Sequence, residues 1–237
     1  MKPHRAPRRG ALAALLLAMA GCFIVLGIWQ IERRAWKHAL IAAVDARIHA
    51  PARTAPGPGG WAAMSAQRDA YRRVRVTGHF LPVRDTLVRG VTELGAGCWV
   101  ITPFDTGQFV VLINRGFVPQ GKKSAAAPSG QSTFEGLLRI SEPGGGFLRA
   151  NDPKADRWYS RDVEAIALAR GLGTIAPYFI DADARTDNAY PVGGMTVVTF
   201  PDNHLAYALT WFAFAALSFA GLWPLKKGRA HSRADRL

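Results

Sequence analysis

The chain has 237 residues, a formal net charge of +13 and only two cysteines. Cys22 falls in an apolar run and Cys98 in a mixed region, which excludes a disulfide framework, and no CxxC or CxxCH motif offers thiol-redox work or covalent haem attachment. Nor does the charge mark a nucleic-acid binder: most of the excess sits in two short basic tails, and residues 31–203 carry 21 basic against 16 acidic side chains, with no basic stretch interleaved with aromatics.

The first predicted element is an uncharged run from Ala11 to Trp29, about 29 Å of helix at about 1.5 Å per residue. Ala18-Met19-Ala20-Gly21-Cys22 is similar to a lipoprotein cleavage box. The apolar run nevertheless continues to an interfacial tryptophan, and Met19 stands where leucine is usual, so a retained helix is expected. The helical pattern persists through Leu40, Ile41, Val44 and Ile48, and places Trp29, Arg33, Trp36 and Lys37 on one face. Residues 51–60, rich in proline and glycine, predict a linker, and Trp61 to Ala70 a short helix.

Strands follow at Tyr71–Thr77, Thr86–Val88, Cys98–Thr102, Phe109–Ile113, Thr133–Ile140, Tyr178–Ile180 and Met195–Phe200. Pro103 to Gln108 reads as a hairpin turn. One amphipathic helix, Arg161 to Arg170, interrupts them, with Ser160 as its cap and Gly171 as its stop. These elements make a β-rich domain of six or seven strands whose closure stays open.

The last element is the uncharged run Leu205 to Leu225, about 32 Å as a helix. Basic residues outside both runs place both termini in the cytoplasm. The expected fold class is a two-span membrane protein, with transmembrane helices flanking a β-rich (α+β) extracytoplasmic domain. Its parts are a cytoplasmic tail (1–10), a first span (11–30), the domain (31–203), a second span (204–225) and a second tail (226–237).

No GxSxG, phosphate-cradling glycine loop or HExxH is present. The histidines His4, His38, His49, His79, His204 and His231 do not pair at metal-ligand spacing. The carboxylates Asp152, Asp156, Asp162 and Glu164 form no acid–base pair, and the last two suit a helix start. A non-enzymatic protein is expected.

His204 differs by its setting at the mouth of the second span. Tyr207, Ala208 and Trp211 follow at i+3, i+4 and i+7, so a planar apolar macrocycle can lie on that face with the imidazole as axial ligand. The alternative is an interfacial histidine above an aromatic belt, with the alanines allowing close helix approach and the aromatic face packed on the first span. Arg33 and Lys37 either pair with carboxylates of a bound cofactor, such as haem propionates, or anchor the helix among headgroups.

These residues carry a family pattern. Leu26-Gly-Ile-Trp-Gln-Ile-Glu-Arg33-Arg-Ala-Trp-Lys37 is similar to LGxWQxxRxxWK of the Surfeit-locus-one family, membrane proteins that assist cytochrome c oxidase assembly. Val111-Leu-Ile-Asn-Arg-Gly-Phe-Val-Pro119 resembles its VLVNRGWVP, with Ile113 and Phe117 substituted. Tyr71–Phe80, and Asn151-Asp-Pro153 with Trp158, Tyr159 and Asp162, fit further blocks. Pro201-Asp-Asn-His-Leu-Ala-Tyr-Ala-Leu-Thr-Trp211 resembles PNNHLxYAxTW, with Asp202 in place of asparagine.

The resemblance implies a role in supplying haem a to oxidase subunit I, haem A synthase as a further partner, and residence in the bacterial inner (cytoplasmic) membrane. It maps the haem-binding histidine onto His204, with Tyr207, Trp211, Trp29, Arg33 and Lys37 as neighbours. Asp202 is expected either to favour a protonated His204 or to orient its neutral ring. The alternative function is a non-haem scaffold, with Asn114, Arg115 and Gly116 at a strand end meeting the partner.

Overall fold

The computed structural model describes residues 6–146, 148–184, 189–196 and 202–224. The chain divides into two compact units, Met1–Ala42 with Thr199–Leu237, and Ala43–Val198.

The first unit is a pair of antiparallel helices. Helix α1 spans Ala6–His49 and helix α5 spans His204–Ala220. No proline interrupts α1 between Pro7 and Pro51, so the helix runs on past residue 30, as the apolar pattern to Ile48 predicts. Residues 6–10, expected in the tail, already belong to α1, whereas 1–5 and the second tail lie outside the described residues. Small residues bring the pair together. Ala20, Ala208 and Ala215 are buried, and a Cβ on Gly27 would meet the Phe212 ring at 2.5 Å. Phe23 stacks on Trp211 with ring centroids 5.7 Å apart. Leu15, Val25, Ile28, Leu209 and Leu217 face outward. Both helices are long and apolar enough to cross a membrane.

The second unit is β-rich. Its main strands are β2 (Arg73–Phe80), β3 (Thr86–Thr92), β4 (Gly95–Asp105), β5 (Val110–Pro119), β6 (Ser132–Ile140) and β9 (Ile175–Ala182). Two short strands, β7 (Gly145–Gly146) and β8 (Arg149–Ala150), form a separate hairpin. The order β2-β6-β9-β5-β4 closes on itself, because His79 and Phe80 of β2 pair with Asp105 and Phe104 of β4. Gly78 permits that closure: a Cβ there would collide with the Asp105 carbonyl. β3 extends the sheet beyond β4, and β1 (Arg53–Thr54) lies parallel to β2. Val74, Val76, Phe104, Val111, Ile113, Leu138, Tyr178 and Ile180 form one core. A second core joins Leu112 and Phe179 to Trp158 and to helix α4 (Val163–Arg170).

Several expectations change. The linker over residues 51–60 is ordered: Ala55 is buried and bonds Arg75, while the Pro56 carbonyl accepts from Trp61 Nε1 at 2.9 Å and the Tyr178 hydroxyl at 2.7 Å. The single helix expected over 61–70 is two short turns, α2 (Pro58–Trp61) and α3 (Ala66–Asp69). The cap of α4 is Asp162, which accepts from the Ala165 N–H, while Ser160 Oγ serves Gly145 and Asn151. Gly171 does stop that helix, at φ 65°. The turn after β4 is tighter than expected, with Thr106 bonded to Phe109. Met195 and Thr196 lie outside any strand, and residues 197–200 lie outside the described residues.

The Asn114-Arg-Gly motif is not at a strand end but in the middle of β5, and Asn114 and Arg115 are buried. Asn114 Nδ2 donates to Asp181 Oδ1 at 2.7 Å. Arg115 donates to the carbonyls of Ala125 and Ala126. Gly116 has φ 129°, and a Cβ there would strike the Val192 carbonyl, which accepts from Phe117 N–H. The motif therefore ties β5 to β9 and to two neighbouring segments.

Asp181 is the centre of that tie. Besides Asn114 it accepts from Arg139 at 2.8 Å and Thr196 at 2.8 Å, and Arg161 approaches to 3.7 Å. Removing the carboxylate strands the buried Asn114 amide and leaves Arg139 and Arg161 with Glu142 as their one shared carboxylate. Asp181→Ala should destabilise the fold by about 3–5 kcal/mol, read by denaturant unfolding of the full chain in detergent.

A second carboxylate gives a pH signature. The Trp158 indole donates to Asp156 at 2.8 Å, and this bond, with Arg170 and Arg84, holds its carboxyl below the usual range against the opposing effect of burial. Because the folded value is depressed, the contribution is complete above the unfolded value of about 3.9 and is lost as pH falls through the folded one. Asp156→Asn should melt below wild type at neutral pH, and the two curves should converge in acid.

Candidate functional site

The site forms where α5 begins. Asn203 precedes the helix and His204 is its first residue. The Asp202 Oδ1 accepts the His204 backbone N–H at 3.1 Å, satisfying one of the amides that a helix start leaves unbonded. Asp202 Oδ2 meets His38 Nε2 at 2.6 Å and Arg34 Nε at 3.5 Å. The His38 ring, then the His204 amide, hold the Asp202 carboxyl below the usual carboxylate range.

The imidazole has a different partner. His204 Nδ1 lies 2.8 Å from Gln30 Oε1. With Gln30 accepting through its amide oxygen, Nδ1 is the donor, and the neutral form of that tautomer presents its lone pair at Nε2. Asp202 is not what orients the ring: its carboxylate serves the His204 backbone, Arg34 and His38, and the ring's partner is Gln30.

The face of α1 turned to α5 carries Phe23, Gly27, Gln30, Arg34 and His38. The expected face, Trp29, Arg33, Trp36 and Lys37, lies to one side of it. Arg33 sits over the Trp36 ring at 4.0 Å, Trp29 and Trp36 are exposed, and Lys37 is half-buried. Tyr207 is exposed, whereas Trp211 packs on Phe23. Among the described residues, no hydrogen bond or ring contact joins Trp29, Arg33 or Tyr207 to His204. Sequence reasoning missed Gln30, Arg34 and His38. The one available signal was their i, i+4, i+8 spacing beside the WQ pair.

Among the described residues no three metal-binding side chains cluster. A lone imidazole with a free Nε2 does not make an all-protein metal site, but it fits an iron that already has four macrocycle nitrogens.

A pair of apolar helices, each long enough to cross a membrane, and a closed β-rich unit define a class of two-helix β-domain proteins. The comparisons give that class a family. The SURF1 family model matches residues 17–216. A SURF1-like protein of Monosiga brevicollis is 34% identical, over 96% of this chain and 92% of its own. Surfeit locus protein 1 of mouse is 34% identical over 88% of this chain and 73% of its own, and that of human 34% over 84% and 71%. The chain belongs to the SURF1 family.

Close approach at Gly27 sets the register that places Gln30 against His204. Gly27→Leu should weaken the helix pair by about 1–3 kcal/mol through overpacking against Phe212. Combined with Phe212→Ala the loss should be smaller than the sum of the two, in a thermal-melting double-mutant cycle on the full chain.

Proposed function

We propose that this chain is a membrane-anchored, non-catalytic biogenesis factor of cytochrome c oxidase that takes haem a as cargo on His204 and passes it to subunit I. The observation that carries the reading is the Gln30–His204 hydrogen bond, which leaves Nε2 as a ligand nitrogen. Family membership supplies the biological setting. Haem supplies four nitrogens of its own, so one imidazole is a sufficient axial donor. Gln30 orients that donor, Asp202 braces the backbone beneath it, and Arg34 and His38 hold Asp202 in place. Arg33 and Lys37, on the adjoining face, are the proposed partners of the propionates.

The two helices cross the membrane in this reading. Only 11% and 17% of their apolar windows are buried against the protein, which leaves the remainder for lipid. The basic tails support a topology with both termini in the cytoplasm and the β-rich unit on the opposite side of a bacterial inner membrane. Haem A synthase would deliver the cargo and subunit I would receive it.

The test is to co-produce the full chain with haem a, purify it in detergent and record its optical spectrum. His204→Ala should lose the haem. Gln30→Leu should bind it about 10–100-fold more weakly with an altered ligand-field spectrum. Retention of haem at wild-type stoichiometry by His204→Ala would overturn the reading. Undiminished co-purification of subunit I with that variant would then favour a scaffold without haem.

A further inference from the structure

The outer face of the β3–β4 hairpin carries a groove of about 620 Å³. Arg89, Lys122 and Arg149 line it, and no acidic residue does. The Arg89 and Arg149 guanidinium groups lie 5.8 and 5.5 Å from the centroid of one ring, that of Tyr159. Among the described residues, none of these three cations forms an ion pair, whereas Arg72, Arg75, Arg139, Arg157, Arg161 and Arg170 all do. Between the cations the groove is apolar, with Leu87 47% and Val91 80% exposed.

The same face ends in a sheet edge that Trp158 bridges at Val88 and that is open beyond Arg89. β3 is the last strand of its sheet. Its Arg89 N–H points outward, to the Trp158 carbonyl at 2.9 Å. Outward groups recur at every second residue of an antiparallel pair, so the N–H and C=O of Val91 also point outward. No described residue bonds them. Exposed edges are ordinarily blunted by charge, bulges or cover. Here the cations flank exposed valine and leucine instead of replacing them.

We propose that this edge and groove take up an extended acidic segment of a partner polypeptide. The segment adds a strand to β3 over Gly90–Thr92, and its carboxylates meet Arg89, Arg149 and Lys122. A polypeptide is favoured over a lipid surface because it alone supplies a matching row of backbone donors and acceptors. Alternate side chains of such a strand fall on the groove face, which presents Leu87, Arg89 and Val91 in the same alternation. The surface works without His204 and stands whether or not the chain carries haem.

The experiment uses the full chain in phosphatidylcholine nanodiscs and the fluorescence anisotropy of a labelled peptide of alternating glutamate and valine. The peptide should bind, more weakly as salt rises. Arg149→Glu and Arg89→Glu should each weaken it about tenfold, with unchanged melting of the protein. Val91→Pro removes an outward N–H without touching the β4 ladder, and should also abolish binding. Lack of peptide binding, insensitivity to the charge reversals, or equal binding of a lysine–valine peptide would overturn the proposal. So would capture by phosphatidylglycerol vesicles without peptide binding, which marks a lipid-facing surface. A dimer dissolved by Val91→Pro in a protein that ignores the peptide marks pairing between copies, and is equally fatal.

Discussion

The helix pair depends on how closely α5 can approach α1 at Gly27. With no side chain there, the Phe212 ring occupies the space that a Cβ would need. That contact sits between Phe23 against Trp211 on one side and Gln30 against His204 on the other. In the proposed membrane setting, helices gain little from burying apolar surface against each other, so packing of small residues and polar contacts would hold them. Ala20, Ala208, Ala215 and Gly27 supply the first, and Gln30, Arg34, His38 and Asp202 the second. One glycine thereby sets the register in which a histidine and a glutamine 174 positions apart become partners.

The apolar runs and most strands were legible in the sequence because each is written in local periodicity. Facing is not. The α1 pattern shows that Trp29, Arg33, Trp36 and Lys37 share a face, and that Gln30, Arg34 and His38 share another. Nothing local tells which is turned to α5. The aromatic and cationic face drew attention, yet Arg33 stacks on its own neighbour Trp36. His38 looked unremarkable because no second histidine stands at ligand spacing, while its actual partner, Asp202, is distant in the chain. The run over residues 51–60 read as a linker from composition. Its pairing is parallel and its bonds go to Arg75, Trp61 and Tyr178, contacts that composition does not encode. Closure of the sheet rests on two residue pairs and a glycine, too few to leave a pattern.

The β-rich unit shows how a conspicuous motif can be internal. Asn114, Arg115 and Gly116 stand out among apolar neighbours, which suggested a surface for a partner. They stand out because each satisfies a buried requirement: an amide for Asp181, a guanidinium for two loop carbonyls, and a backbone shape open to glycine. Asp181 in turn needs Arg139 and Thr196, since a buried carboxylate without such donors is strongly unfavourable. The arginines are further accommodated by the Phe179 ring, 5.8 Å from Arg139 and 5.0 Å from Arg161. Charge is buried here in a closed set, and that set fixes which strand lies beside which.

The same reasoning extends to the helix pair. Arg139 and Arg161 are spoken for by carboxylates and rings, as are Arg34 and His38 by Asp202. For the proposed haem carrier this leaves the His204 ring addressed by a neutral amide, with its second nitrogen uncommitted. A single imidazole is a weak grip compared with two axial ligands, and exposed Tyr207 and Trp29 leave the surroundings open to solvent or lipid. Weakness suits the task. A carrier that enclosed haem between two ligands would have to release both, whereas His204 would hold the proposed cargo through one nitrogen. The substitution of Asp202 for asparagine then bears on the brace beneath the ligand and leaves the ligand itself unchanged: it adds a charge that locks Arg34 and His38 to the start of α5, stiffening the frame in which Gln30 holds the ring.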